Sequence, residues 1–92
     1  MLTLATRLRA IRQSTGMGRT RFGEYVGVPW RTIENIEQKG STPRGDVLAA
    51  VAAKFPEYSV WLLTGTEQPE QRQTRPMAAA DLEGPDSEAA AP

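Results

Sequence analysis

With neither cysteine nor histidine in its 92 residues, the chain must do any chemistry with its 11 Lys/Arg, its 11 Asp/Glu and neutral hydrogen-bonding groups. The usual metal ligands and the usual general base are therefore missing, and no disulfide can form. No pair of carboxylates sits in an apolar setting of the kind that tunes an acid and a base apart, so an enzyme fits poorly and neither metal nor cofactor is implied. What remains is recognition through guanidinium, carboxylate and amide groups. The formal net charge is zero, but it is unevenly spread. Residues 1–65 hold nine Lys/Arg against five acids, a balance of +4, while residues 66–92 hold two Arg against six acids, a balance of −4. Binding responds to the local field, which decays over about 8 Å in physiological salt, so a basic domain with an acidic tail is compatible with a polyanionic partner.

The elements that must position these groups are legible between Arg19 and Lys39 (RTRFGEYVGVPWRTIENIEQK). Phe22 and Val26 stand four residues apart and Ile33 and Ile36 three apart, so two short helices each present one apolar face. Gly27 supplies the positive φ of a sharp corner, and Pro29 presets φ for the next helix. This is the pattern of a helix-turn-helix, whose second helix can lie in the major groove of DNA.

Elsewhere the spacing predicts an all-α fold of five helices. Thr3 is the expected N-cap of a first helix carrying Leu4, Leu8 and Ile11 inward until Ser14-Thr15-Gly16 stops it, with Arg9 and Arg12 off the buried stripe. Gly23, inside the second helix at a cost of about 1 kcal/mol relative to alanine, points to another helix crossing closely. After a polar loop at 39–44, a fourth helix from about Gly45 to Lys54 turns Val47, Leu48, Val51 and Phe55 inward, and Pro56 breaks it. A short last helix over 57–63 ends at Thr64-Gly65. From Thr66 onward Pro69, Pro76, Pro85 and Pro92 interrupt a segment with only Met77 and Leu82 as sizeable apolar groups. Such a segment cannot offset about 1–2 kcal/mol of ordering entropy per residue, and the expectation is a domain at 1–65 followed by a disordered acidic Ala/Pro-rich tail at 66–92. No apolar run approaches the roughly 20 residues of a membrane span, and the N-terminus has no hydrophobic signal core, so a cytoplasmic protein is expected.

Residues 4–65 resemble the helix-turn-helix domain of the lambdoid phage repressor and Cro family, the XRE-like group of bacterial and phage regulators. The resemblance lies in RLRAIRQSTG at 7–16, MGRTRFGEYVGV at 17–28, the pattern of Ile33, Ile36 and Glu37, and the closing WLLTG at 61–65. It covers about two thirds of the chain. By that resemblance Trp30, Arg31, Glu34 and Asn35 face base edges, and Arg19, Arg21, Thr32, Lys39, Ser41, Thr42 and Arg44 approach the DNA backbone. Their chemistry suits these roles: arginine pairs with guanine O6 and N7, asparagine with adenine N6 and N7, and glutamate accepts from cytosine N4. The resemblance also implies a structural ion pair between Arg12 and Glu37, and a homodimer with Trp61 and Leu62 at the contact.

Three positions depart from the family pattern. Arg19 stands where glutamine is usual. Pro29 stands where a serine or threonine normally caps the third helix. Trp30 opens the reading helix, and its indole has two placements, against DNA or turned back into the core. Glu34 likewise has two roles, a base contact or a salt bridge that orients Arg31 or Arg19. The function implied is a Cro-like repressor of phage or mobile-element type that binds a pseudo-palindromic double-stranded operator as a dimer. Two other readings remain open: an antitoxin-type autoregulator whose acidic tail binds a toxin, and a protein-interaction module that has lost DNA binding.

Overall fold

A computed structural model describes residues 2–76. Five α-helices follow one another: α1 (Leu4–Thr15), α2 (Arg19–Val26), α3 (Trp30–Lys39), α4 (Gly45–Lys54) and α5 (Ser59–Thr64). A 3-10 turn, Pro56–Tyr58, leads into α5, and another, Pro69–Gln71, follows it. The all-α expectation holds, and no strand is present among the described residues. None of their helices is long and apolar enough to cross a membrane.

Local chemistry sets each boundary. The Thr3 hydroxyl accepts from the Thr6 N–H at 3.1 Å, satisfying one of the free donors at the start of α1. Gly27 ends α2 at φ 81°, and its N–H and that of Val28 both donate to the Gly23 carbonyl at 2.8 and 2.9 Å. Pro29 then begins α3 at φ −56° without a side-chain cap, its carbonyl accepting from Thr32 and Ile33. Gly23 is required by this corner rather than by a crossing helix. A Cβ there would meet the Val28 carbonyl oxygen at 2.5 Å and the Trp30 backbone nitrogen at 3.3 Å, so the close neighbour is the entry to α3.

The apolar faces converge on one core. Leu8 and Ile11 of α1, Phe22 and Val26 of α2, Ile33 and Ile36 of α3, Val47 and Val51 of α4, and Trp61 and Leu62 of α5 are all buried in it. Leu48 and Phe55 pack at its edge, where Phe55 stacks between Phe22 and Tyr58 at centroid distances of 5.9 and 6.2 Å. Helix α2 lies against α3 and α4, while α1 bridges α3 and α5.

Beyond Gly65 the structure differs from the expected tail. Residues 66–76 fold back on the domain. Gln68 and Gln73 exchange two backbone hydrogen bonds at 2.9 and 3.0 Å. The Gln73 side chain accepts from the Val60 N–H at 3.0 Å and donates to the Pro56 carbonyl at 2.9 Å, so it caps α5 from a distance. The Thr74 N–H donates to the Glu57 carbonyl, Arg75 pairs with Glu67 at 3.3 Å, and Pro76 is fully buried. This clasp is made of hydrogen bonds to backbone, one ion pair and one proline contact, which have no apolar period to read. It adds Glu67, Glu70, Arg72 and Arg75, so the +4 balance of the preceding residues is unchanged. The four acids Asp81, Glu83, Asp86 and Glu88 fall with the rest of the expected tail, including Met77, the alanine run and Leu82, outside the described residues.

Candidate nucleic-acid interface

Helix α3 is split lengthwise by its sequence. Ile33 and Ile36 are buried, while Trp30, Arg31, Asn35 and Lys39 are exposed and Thr32 and Glu34 are half-buried. Trp30 faces outward, with 42 % of its surface accessible. The Arg31 guanidinium lies 5.4 Å from its ring centroid, within cation–π range. The exposed face therefore begins with an indole and a guanidinium stacked together, and Asn35 lies one turn further along it.

Glu37 anchors this helix to the rest of the domain. Its side chain is fully buried and each oxygen is bound by Arg12: Nε donates to Oε2 at 2.6 Å and Nη2 to Oε1 at 2.8 Å. The remaining Arg12 nitrogen, Nη1, donates to the Met17 carbonyl at 2.9 Å. Structure thus brings together the two residues expected to pair across α1 and α3. It also adds two cations: Arg19 Nε donates to Oε1 at 3.0 Å, and Arg9 Nε lies 3.9 Å from the same oxygen. Burial alone would push the Glu37 carboxyl up, but the hydrogen bonds and positive charge of Arg12 and Arg19 outweigh it and hold the carboxyl below a glutamate's ordinary 4.5. Glu34 lies 4.0 Å from Arg19 Nη1, so of the two arginines it was expected to orient, Arg19 is the one within reach.

The remaining basic and hydroxyl groups lie on the surface. Arg21, Ser41 and Thr42 are exposed, and Arg44 is exposed with Asp46 at 3.6 Å. Pro43 between them is buried, which fixes the loop that carries them. Trp61 and Leu62 are not available to a second copy. They retain 1 % and 0 % of their surface and are core residues, whereas Leu63 is 55 % exposed. A six-residue helix needs both of its inward side chains to close the core, which leaves Leu63 as its apolar group on the surface.

One buried cation escaped the sequence reading. Arg7, only 8 % exposed, donates from Nε to the Leu62 carbonyl at 2.9 Å and from Nη1 to the Leu2 carbonyl at 2.7 Å. A Cβ on Gly65 would come within 2.9 Å of Arg7 Nη1, so the glycine of WLLTG both ends α5 at φ 80° and leaves room for the guanidinium.

No protein-family model matches the chain. It is similar to Repressor protein C of Escherichia phage P2, with 29 % identity over 79 residues that cover 84 % of this chain and 80 % of that protein. Together with the five-helix fold and the corner at Gly27, this similarity supports a phage-repressor-type helix-turn-helix domain.

Proposed function

We propose that the chain is a sequence-specific DNA-binding transcriptional repressor of Cro-like, phage or mobile-element type, acting in the cytoplasm on nucleoid DNA rather than as a catalyst. The observation that carries this reading is the outward face of α3, where Trp30, Arg31 and Asn35 are exposed while Ile33, Ile36 and the Glu37 carboxylate fix the opposite side. The name of the similar phage P2 protein, a repressor, points the same way.

In this reading α3 enters the major groove. Arg31 donates to guanine O6 and N7, Asn35 pairs with adenine N6 and N7, and Trp30 packs its indole on a thymine methyl or a sugar while holding Arg31 in place. Glu34 accepts from a cytosine amine or steadies Arg19. Arg19, Arg21, Thr32, Lys39, Ser41, Thr42 and Arg44 contact phosphates, which set position rather than sequence. A homodimer presents two α3 helices about 34 Å apart to a pseudo-palindromic operator and blocks polymerase access there. A contact between copies near α5 uses Leu63, since Trp61 and Leu62 belong to the core.

Arg31→Ala and Asn35→Ala test the reading. Each removes about 1–3 kcal/mol of discrimination between the preferred duplex and one altered at the contacted base pair. Unchanged discrimination in both variants, with the helical circular dichroism signal intact, would remove α3 as the reading element.

A further inference from the structure

Arg12 and Arg19 both donate to Glu37, but they are left in different states. Every nitrogen of Arg12 is spent inside the protein, two on Glu37 and one on the Met17 carbonyl. Arg19 is anchored to Glu37 through Nε alone. Its Nη1 lies 4.0 Å from the partly exposed Glu34 carboxylate, and its side chain stays 31 % exposed at the first residue of α2. Arg9, the third guanidinium around the carboxylate, is 48 % exposed. A single buried negative charge therefore faces three positive ones, and Arg12 alone already occupies both of its oxygens. An arginine tethered by Nε has its guanidinium plane fixed and the two-nitrogen Nη edge left over, the edge that meets a phosphate in a forked contact.

We propose that Glu37 is a positioning residue for DNA binding, holding Arg19 by Nε so that its Nη edge is presented to a phosphodiester at the start of α2. The inference rests on the DNA-binding reading above and adds a second role to an ion pair otherwise assigned to the fold. The rotamer freedom that a surface arginine loses on meeting a phosphate has here been lost already on folding. Glu34 is the loose partner that the phosphate replaces. The arrangement needs arginine at position 19, since lysine has no second donor edge once its ammonium is bound to Glu37.

The test has a sign that plain electrostatics does not share. Replacing Glu37 by glutamine removes a negative charge beside a polyanion, so charge alone predicts tighter binding. Affinity of the full chain for a fluorescein-labelled duplex pool of mixed sequence, about 30 base pairs long, is measured across a salt series at a temperature where circular dichroism shows each variant folded. Positioning predicts that Glu37→Gln weakens binding about ten-fold and lowers the slope of log affinity against log salt by about 1. In an Arg19→Met background the same substitution is expected to change affinity by no more than about two-fold, because its effect passes through Arg19. Binding as tight as the parent protein, or an equal loss with and without Arg19, overturns the inference. Should Glu37→Gln not fold, Arg19→Lys keeps the charge and the Arg12–Glu37 pair; a loss as large as that of Arg19→Met supports positioning, and parental affinity overturns it. Absence of duplex binding by the parent protein is a separate result that rejects the DNA-binding reading itself, and the inference with it.

Discussion

Arg7 and Arg12 stand on the same helix and both reach into the interior, yet they are held in opposite ways. Arg12 meets a carboxylate on α3, and the link exists only while position 37 carries a charge. Arg7 meets main-chain carbonyls of Leu2 and Leu62, which any residue at those positions would supply. The first joins α1 to α3 and shares its carboxylate with the partly exposed Arg9 and Arg19. The second joins α1 to the end of α5. A charge–charge link can be tuned and titrated, whereas a link to backbone is indifferent to pH and to the neighbouring side chain. The link on the side proposed to meet DNA is of the former kind, and the link to the end of α5 is of the latter.

The sharpest way to separate the two is to delete each arginine. Arg12→Ala leaves a buried carboxylate with only the partial company of Arg9 and Arg19, and a loss of about 3–5 kcal/mol is expected from urea denaturation. A loss under about 1 kcal/mol would mean that the pair behaves as an exposed one. Arg7→Met keeps much of the apolar stem and removes the donors, with an expected loss of about 1.5–3 kcal/mol. Acid distinguishes the links further. Because the folded protein holds the Glu37 carboxyl below its ordinary 4.5, its contribution is complete above that pH and is lost as pH falls through the lowered value. Stability measured from pH 6 downward, a range of about three units around the carboxylate region, should therefore steepen below about pH 4.5 in the parent and in Arg7→Met, and less so in Arg12→Ala. The smallest effect belongs to the clasp. Gln73→Ala removes two hydrogen bonds to backbone and is expected to lower stability by about 1–2 kcal/mol; no change in the denaturation midpoint would show that residues 66–76 lie on the domain without supporting it.

What could be read in advance follows the same division. The corner at Gly27, most of the inward faces of α1 to α4 and the stop at Gly65 were legible because apolar spacing and special backbone angles leave marks on sequence, whereas Leu4, expected inward, is half-buried outside the core. The Arg12–Glu37 contact was legible only through resemblance to a family. Trp30 was undecided because an indole suits either a core or a wet surface, and its exposure together with Arg31 resolves the choice. Trp61 and Leu62 were assigned to a contact between copies, but a six-residue helix has too little length for its period to tell inward from outward. Arg7 and Gln73 were missed since their partners are peptide groups, which every residue possesses. The fold accordingly includes residues 66–76, and a truncation meant to test the acidic segment removes residues 77–92 and leaves the clasp in place.

The central claim, that α3 reads a DNA operator, is tested most directly by selecting a random duplex library against the purified protein, sequencing the bound fraction and titrating the winner with salt. The expected result is a palindrome with half-sites about one helical turn apart, bound with an affinity that falls steeply as salt rises. Weak salt-sensitive binding with no enriched sequence would contradict it.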